Sequence, residues 1–318
     1  MAYYSGVANN LADLLTALTT NMITEGWANP DTNIYSKSGI FVKLSTTSAR
    51  IELRGGTSNT GTTLTGGPTS NGAYDGTVSF APVTSVFTYP LNYHLHINTT
   101  PDEVYFFAND GDRWTWMGFG KSQISGLSGS GNWYGATTPG KRDSSTVTIG
   151  STAAETPSTV ENVLFFGDIA GSGTTSNTTQ PYNVSIDHGL DGNSWSKAGN
   201  TTGPGTDSSS SWASTSAALK TISPIYKLML AQPNTWNGEA VLIRIQSFIY
   251  SGSGKFILVN NLEHCRYVRN TNYNDGDTIT LGADVWRVYP MIRKNTTTPN
   301  GGITPSVHSG TWAIAVRE

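Results

Sequence analysis

Cysteine is almost missing from this chain of 318 residues, which contains only Cys265. A single thiol cannot build an internal disulfide framework or a zinc site made of several cysteines. Charged residues are also scarce, at 13% of the sequence, where about 25% is usual. The formal net charge is only −3. This balance argues against nucleic acid or an anionic membrane as the main partner.

Long apolar runs are absent as well. No stretch approaches the roughly 18 apolar residues that a membrane-spanning helix needs, so we expect no membrane insertion. Residues 1–27 lack the basic segment of a secretory signal, since the first basic residue is Lys37. We therefore expect a protein that is made in a reducing cytoplasm.

Small polar residues and aromatics dominate what is present. Ser, Thr and Asn make up about a third of the chain, and there are 35 Gly, 9 Trp, 14 Tyr and 10 Phe. A disordered chain would be poor in aromatics and rich in charge. The composition instead predicts a β-rich, turn-rich protein with polar, uncharged outer faces.

One helix is predicted, over residues 7–25. Its apolar stripe at helical spacing consists of Val7, Leu11, Leu14, Leu15, Leu18 and Met22. Ser5, Asn9 or Asn10 could cap its start, and Gly26 is placed to end it. We expect the stripe to pack on a sheet; the alternative is an anchor on a neighbouring subunit.

Strands are predicted for most of the rest. Alternating patterns occur over 40–45 and 50–54, and further strands are predicted over 93–97, 104–109 and 113–119. Residues 55–76 and most of 125–160 are interpreted as loops, with one short strand at 147–149, and 170–216 is close to low complexity. Further strands are predicted at 241–250, 255–260, 285–292 and 311–316. The fold class is mainly β: antiparallel, sandwich-like sheets with long Gly/Ser/Thr loops and one N-terminal amphipathic helix.

The change in composition suggests three parts. Residues 1–150 would form a helix and β-meander domain, 151–220 a loop-rich extension or linker, and 221–318 a C-terminal β domain. These boundaries are loose, and a single composite domain is the alternative.

Motifs for chemistry are weak. No Ser has Gly at both −2 and +2, and Gly252-Ser253-Gly254-Lys255 departs from a phosphate loop at both flanking positions. His94 and His96 share one strand face, as a metal pair requires, but we interpret them as half-exposed polar residues. The segment 187–192 starts like a calcium loop without its closing Glu, and a plain turn is the simpler interpretation.

Carboxylates could still pair for glycoside hydrolysis, which sequence spacing cannot decide. The candidates are Asp102, Glu103, Asp110, Asp112, Glu161 and Asp168. Most lie in turn-like sequence, where Asp serves backbone hydrogen bonds. We therefore predict no enzyme, no catalytic residue, no cofactor and no metal site.

Aromatic residues are the better functional signal, because they stack on sugars and anchor interfaces. Trp114 and Trp116 share a strand face and fit a core position. The candidate interface aromatics lie in Gly-rich or low-complexity sequence, and they are Trp133, Tyr134, Trp195 and Trp212.

Three stretches of the sequence together carry a family resemblance. The first is Tyr3-Tyr4-Ser5-Gly6 with the following helix to Gly26-Trp27. The second runs from Pro101-Asp102-Glu103-Val104-Tyr105 through Trp116-Met117-Gly118-Phe119-Gly120-Lys121-Ser122 to Gly131-Asn132-Trp133-Tyr134-Gly135. The third comprises Arg266-Tyr267-Val268, Trp286-Arg287-Val288-Tyr289-Pro290, His308-Ser309-Gly310-Thr311 and Ala313-Ile314-Ala315-Val316-Arg317. Together they resemble virion structural proteins of tailed bacteriophages, of the kind assigned to the tail or baseplate.

This resemblance implies a non-enzymatic virion component that is assembled in the host cytoplasm and works by subunit packing. Its partners would be symmetric copies of itself and other tail proteins. The alternative is a carbohydrate- or receptor-binding module of the tail, with a host surface glycan as a possible partner. Residues 140–220 do not contribute to the resemblance.

Overall fold

Antiparallel strands make up nearly all of the regular structure, with one helix near the N-terminus. The computed structural model describes residues 1–47, 49–68, 76–81, 87–110, 113–139, 184–190, 194–197, 219–220, 242–250, 256–269, 273–290 and 312–318. Within these residues the predicted fold class, mainly β with sandwich-like sheets, is confirmed.

The first sheet has seven strands. In spatial order they are β1 (Ala2–Ala8), β9 (Leu91–Asn98), β10 (Glu103–Asp110), β11 (Arg113–Lys121), β12 (Asn132–Ala136), β14 (Val184–Asp187) and β15 (Trp195–Lys197). The predicted hairpin after residue 109 is present, since Asp110 pairs with Arg113.

The second sheet has six strands. In spatial order they are β13 (Thr138–Pro139), β8 (Val78–Phe80), β5 (Arg50–Gly56), β4 (Ile40–Thr47), β3 (Ile34–Lys37) and β2 (Ala28–Asp31). A separate two-stranded ribbon is formed by β6 (Ser58–Thr60) and β7 (Thr63–Thr65).

The third sheet also has six strands and comes from the C-terminal part of the chain. In spatial order they are β16 (Leu219–Lys220), β17 (Ile243–Tyr250), β18 (Phe256–Arg269), β21 (Trp312–Arg317), β20 (Asp284–Pro290) and β19 (Thr278–Leu281). The closing strand β21 therefore lies inside the sheet, hydrogen-bonded to β18 and β20.

The helix α1 spans Leu11–Thr24. The side chain of Asn10 caps it by accepting a hydrogen bond from the backbone N–H of Asp13 at 2.9 Å. Gly26 follows the last turn with a φ of 84°, a conformation that glycine adopts without strain. Leu14, Leu18 and Met22 are fully buried, so the predicted packing of the stripe on a sheet is confirmed.

The first sheet is the middle of three layers, because its two faces belong to two different cores. On β10, Val104 and Phe106 face a core shared with α1 and the second sheet. Tyr105 and Phe107 point the other way, into a core shared with the third sheet. A sheet covered on both faces has apolar residues at nearly every position, which explains the aromatic density of this region.

Several sequence predictions about element bounds are wrong. Val7 belongs to β1 and is 59% exposed, since pairing of residues 2–8 with β9 replaces the first predicted helical turn. Residues 55–76 were expected to be a loop but contain β6 and β7, and the expected loop at 125–160 contains β12. The strand predicted at 147–149 lies outside the described residues.

The predicted division into three parts stays a prediction. Two strands from the 151–220 segment, β14 and β15, complete the first sheet. The third sheet shares its core with the first sheet. No helix in the described part of the chain combines the length and apolar character needed to cross a membrane.

Candidate functional site

Two of the predicted interface aromatics are core residues. Trp133 and Tyr134 are neighbours on β12 and point to opposite faces of the middle layer, each with 1% of its surface exposed. The hydroxyl of Tyr134 donates to the backbone carbonyl of Gly76. The prediction is corrected for both residues, because an aromatic ring that is buried in the interior cannot contact a partner protein.

Trp195 keeps part of its surface exposed. It lies on β15, where its indole N–H donates to the carbonyl of Gly66 at 2.8 Å and its ring lies 5.7 Å from that of Tyr134. Of the four predicted interface aromatics it is the one that remains a candidate within the described residues. Trp212 lies outside them.

Trp114 and Trp116 are buried, as their shared strand face predicts, with 5% and 1% exposure. The indole N–H of Trp114 donates to the Asp275 carboxylate at 3.0 Å. This bond links the first sheet to the turn before β19. The two rings hold layers together and are not available for sugar stacking.

The strongest concentration of polar chemistry lies between the first and third sheets. We name it the histidine seam, and it consists of Tyr3, His94, His96, Arg287 and Tyr289. The Tyr3 hydroxyl lies 2.6 Å from His94 Nδ1, and the Tyr289 hydroxyl lies 2.6 Å from His96 Nε2. Arg287 stacks over the ring of Tyr3 at 4.7 Å.

The interpretation of His96 as a half-exposed residue is therefore wrong, because His96 is fully buried. His94 keeps part of its surface exposed. The two side chains share one face, as the period of two predicts, but that face meets the third sheet and not solvent. Burial lowers the pKa of His94 to about 4, and the nearby charge of Arg287 acts in the same direction. Burial also holds the pKa of His96 well below its ordinary value. Both imidazoles are neutral at pH 7.

A second polar contact ties the same two layers at Glu103, which begins β10. Its carboxylate accepts hydrogen bonds from the backbone N–H groups of Glu263 and His264, each at 3.0 Å, and from the Tyr105 hydroxyl at 2.9 Å. Burial raises the pKa of Glu103 to about 7, while these three hydrogen bonds act in the opposite direction.

A raised carboxyl pKa in a cleft would indicate an active site, but Glu103 is 0% exposed. No substrate reaches it in this fold. The sequence indicates Glu103 only as one of the candidate hydrolase carboxylates, because its partners on β18 lie about 160 positions further along the chain. Its observed contacts hold the first and third sheets together.

His188 and Ser196 form a contact that looks like a catalytic pair, with Nε2 and Oγ 2.6 Å apart. However, the backbone N–H of Leu190 donates to Nδ1 of the same ring at 3.0 Å. A neutral imidazole with an acceptor at Nδ1 carries its hydrogen on Nε2. His188 therefore donates to Ser196 and cannot take its proton as a general base.

The neighbouring Asp187 is also engaged in structure. One oxygen of its carboxylate accepts from the backbone N–H and the hydroxyl of Ser130, at 2.9 and 2.8 Å. Across the described residues, no group of three His, Cys, Asp or Glu side chains is arranged to hold a metal ion. Cys265 is buried, and burial raises the pKa of its thiol well above the ordinary value.

No protein-family model matches the chain, and no curated protein matches it with significant similarity. The case for a function therefore rests on the chain's own residues.

Proposed function

We propose that this protein is a non-enzymatic structural component of a tailed-phage virion, placed in the tail or baseplate and acting by subunit packing. The observation that carries the proposal is how the interior polar groups are used. Glu103, His96 and His188 are each at most 1% exposed. Glu103 and His96 are hydrogen-bonded to the third sheet, and His188 is hydrogen-bonded to Ser196 on β15. These bonds fix neighbouring parts of the fold and leave little for chemistry on a small molecule.

Two further observations support the proposal. The stretches that carry the phage resemblance include buried residues of the first and third sheets, such as Phe119, Trp133 and Tyr289. The resemblance thus involves fold-forming positions. The sequence, with few charges and many Ser, Thr and Asn residues, suits a particle component that works outside the cell.

The proposal is tested on particles purified through a density gradient from infected cells. Mass spectrometry should find the chain at a constant ratio to the major tail proteins, through repeated purification. Removing it from the phage genome should yield particles with incomplete tails. Recovery of the chain only in the soluble lysate, with particles assembling normally without it, would refute a structural role.

A carbohydrate- or receptor-binding module is the alternative, and one observation favours it. Trp195 is partly exposed at the end of the first sheet, where a ring could stack on a sugar. Binding of the purified chain to host surface glycans should then fall in the variant Trp195→Ala. The matched control is Trp286→Phe on the third sheet, which should leave glycan binding unchanged.

A further inference from the structure

The outer edge of β1 differs from the other sheet edges formed by the described strands. The three sheets end in β1, β15, β13, β2, β16 and β19. Five of these strands have two to four residues, and β2 also contains Pro30. β1 has seven residues, with neither a proline nor a charged side chain among them.

Sheet edges in soluble proteins are normally protected, because an unpaired edge offers backbone N–H and C=O groups to any other strand. Short length, proline and charge are the common means of protection. The other five edge strands are short, whereas β1 has none of these three protective features. Its inner edge pairs with β9 along all seven residues, so the strand is straight and regular enough to accept a second neighbour.

The exposure of side chains on β1 is consistent with an accessible edge. Ser5 and Val7 point to the same face of the sheet as Tyr3 and are exposed, Val7 at 59%. Helix α1 packs against the opposite face of the sheet, where Ala8 is buried. Among the described residues, none is paired with β1 on its outer side.

Charge decides which strand fits. A basic or acidic edge would select a partner of opposite sign, but β1 is neutral and the whole chain carries only −3. Any other copy of the chain offers a neutral strand of matching length, which is its own β1. Antiparallel pairing about a two-fold axis at Ser5 would place Tyr3 opposite Val7 of the other copy and oppose no like charges.

We infer that β1 is the strand by which two copies of this chain pair, antiparallel and centred on Ser5, so that the first sheet continues from one copy into the next. This strand addition uses backbone hydrogen bonds for affinity and covers Val7. The inference deepens the proposed packing role by naming a surface and a partner for it.

Charge substitutions at Ser5 test the pairing and its register together. In sedimentation experiments over a concentration series, the wild-type chain should self-associate. Ser5→Lys and Ser5→Glu should each weaken association about three- to fivefold, because like charges meet directly opposite one another. An equimolar mixture of the two variants should associate at least as strongly as wild type, since opposite charges then meet.

The matched control is an exposed apolar residue on a short edge. Leu281 on β19 is 61% exposed, close to the 59% of Val7. Val7→Lys should weaken self-association and Leu281→Lys should not. Circular dichroism melts of all variants establish that they fold.

Three results would overturn the inference. The first is a wild-type chain that stays monomeric at every concentration. The second is an equal loss of self-association in Val7→Lys and Leu281→Lys, and the third is a mixture of Ser5→Lys and Ser5→Glu that associates no more strongly than either variant alone. Particle analysis separates this inference from the proposed function. A chain that is present in particles but monomeric in solution refutes the β1 pairing alone, and a self-associating chain absent from particles refutes the virion role alone.

Discussion

Nε2 of His96 lies 2.6 Å from the hydroxyl oxygen of Tyr289, although 193 positions separate the two residues in the chain. His96 is on β9 in the first sheet and Tyr289 is on β20 in the third, and both are fully buried. The ring of Tyr289 also stacks on Phe107 with centroids 4.2 Å apart. Tyr289 is thus fixed by both its ring and its hydroxyl, and this contact holds two layers in one arrangement.

Removal of that hydroxyl should destabilise the protein. In Tyr289→Phe the stacking ring remains, but Nε2 of the buried His96 loses its partner. A buried polar group left without a hydrogen bond costs about 1–3 kcal/mol. Urea unfolding of the variant should show a free energy of unfolding lower by that amount.

The matched control is Tyr35→Phe on β3, a partly buried tyrosine outside the histidine seam. Its free energy of unfolding should stay within about 0.5 kcal/mol of wild type. Equal losses in the two variants would mean that the contact between His96 and Tyr289 has no special part in stability.

Acid should weaken the fold through its buried histidines. The pKa of His94 is lowered to about 4, mainly by burial, and the pKa of His264 is lowered to about 4 by burial and by Arg317. In the unfolded chain a histidine has a pKa of about 6.5. Below that pH the unfolded state binds protons that the folded state does not, so stability is lost as the pH falls from 6.5 towards 4.

Urea midpoints measured at several pH values between 7 and 4 check this expectation. The midpoint should fall with pH, and it should fall less in His94→Asn, which removes one of these imidazoles. An equal change of the midpoint with pH in wild type and His94→Asn would contradict it.

Glu103 should show the opposite dependence. Its pKa is raised to about 7 by burial, against about 4.3 in an unfolded chain. The folded state therefore binds the proton more tightly, and the contribution of Glu103 to stability decreases as the pH rises from about 4.3 to 7. Glu103→Gln cannot titrate, so the stability difference, wild type minus variant, should decrease between pH 5 and pH 7. An increase over the same interval would exclude a raised pKa for Glu103.

Truncation of Trp286 should affect folding rather than assembly alone. Its side chain is 4% exposed in a small core on the third sheet, and Arg266 lies over its ring at 5.1 Å. Trp286→Ala should lower the free energy of unfolding by about 3–5 kcal/mol. A control variant, Leu281→Ala at an exposed position, should change it by less than about 0.5 kcal/mol. Normal melting of Trp286→Ala with failed incorporation into particles would instead make Trp286 an interface residue.

Local patterns in the sequence predict the elements that local chemistry determines. The stripe of Leu14, Leu18 and Met22 and the cap at Asn10 locate the helix, and the alternation in residues 40–45 locates β4. Val7 continues the helical spacing, yet it belongs to β1, because pairing with a strand more than 80 positions away outweighs one turn of helix. That contact leaves no local signal.

The candidate site depends even more on distant contacts. The period of two correctly places His94 and His96 on one face, but the sheet that covers this face comes from the last part of the chain. Trp133 and Tyr134 are surrounded by glycines and show no alternation, because β12 is buried on both sides. Sequence reasoning therefore recognises exposed and half-buried strands more readily than strands of a middle layer.

A cryo-electron microscopy map of the intact particle, at a resolution that shows side chains, is the most direct test of the proposed virion role. We expect density for the three layers in the tail or baseplate, with copies of the chain arranged by the particle symmetry and β1 hydrogen-bonded to β1 of an adjacent copy. A complete map of the tail and baseplate without this chain would contradict the virion role that we propose.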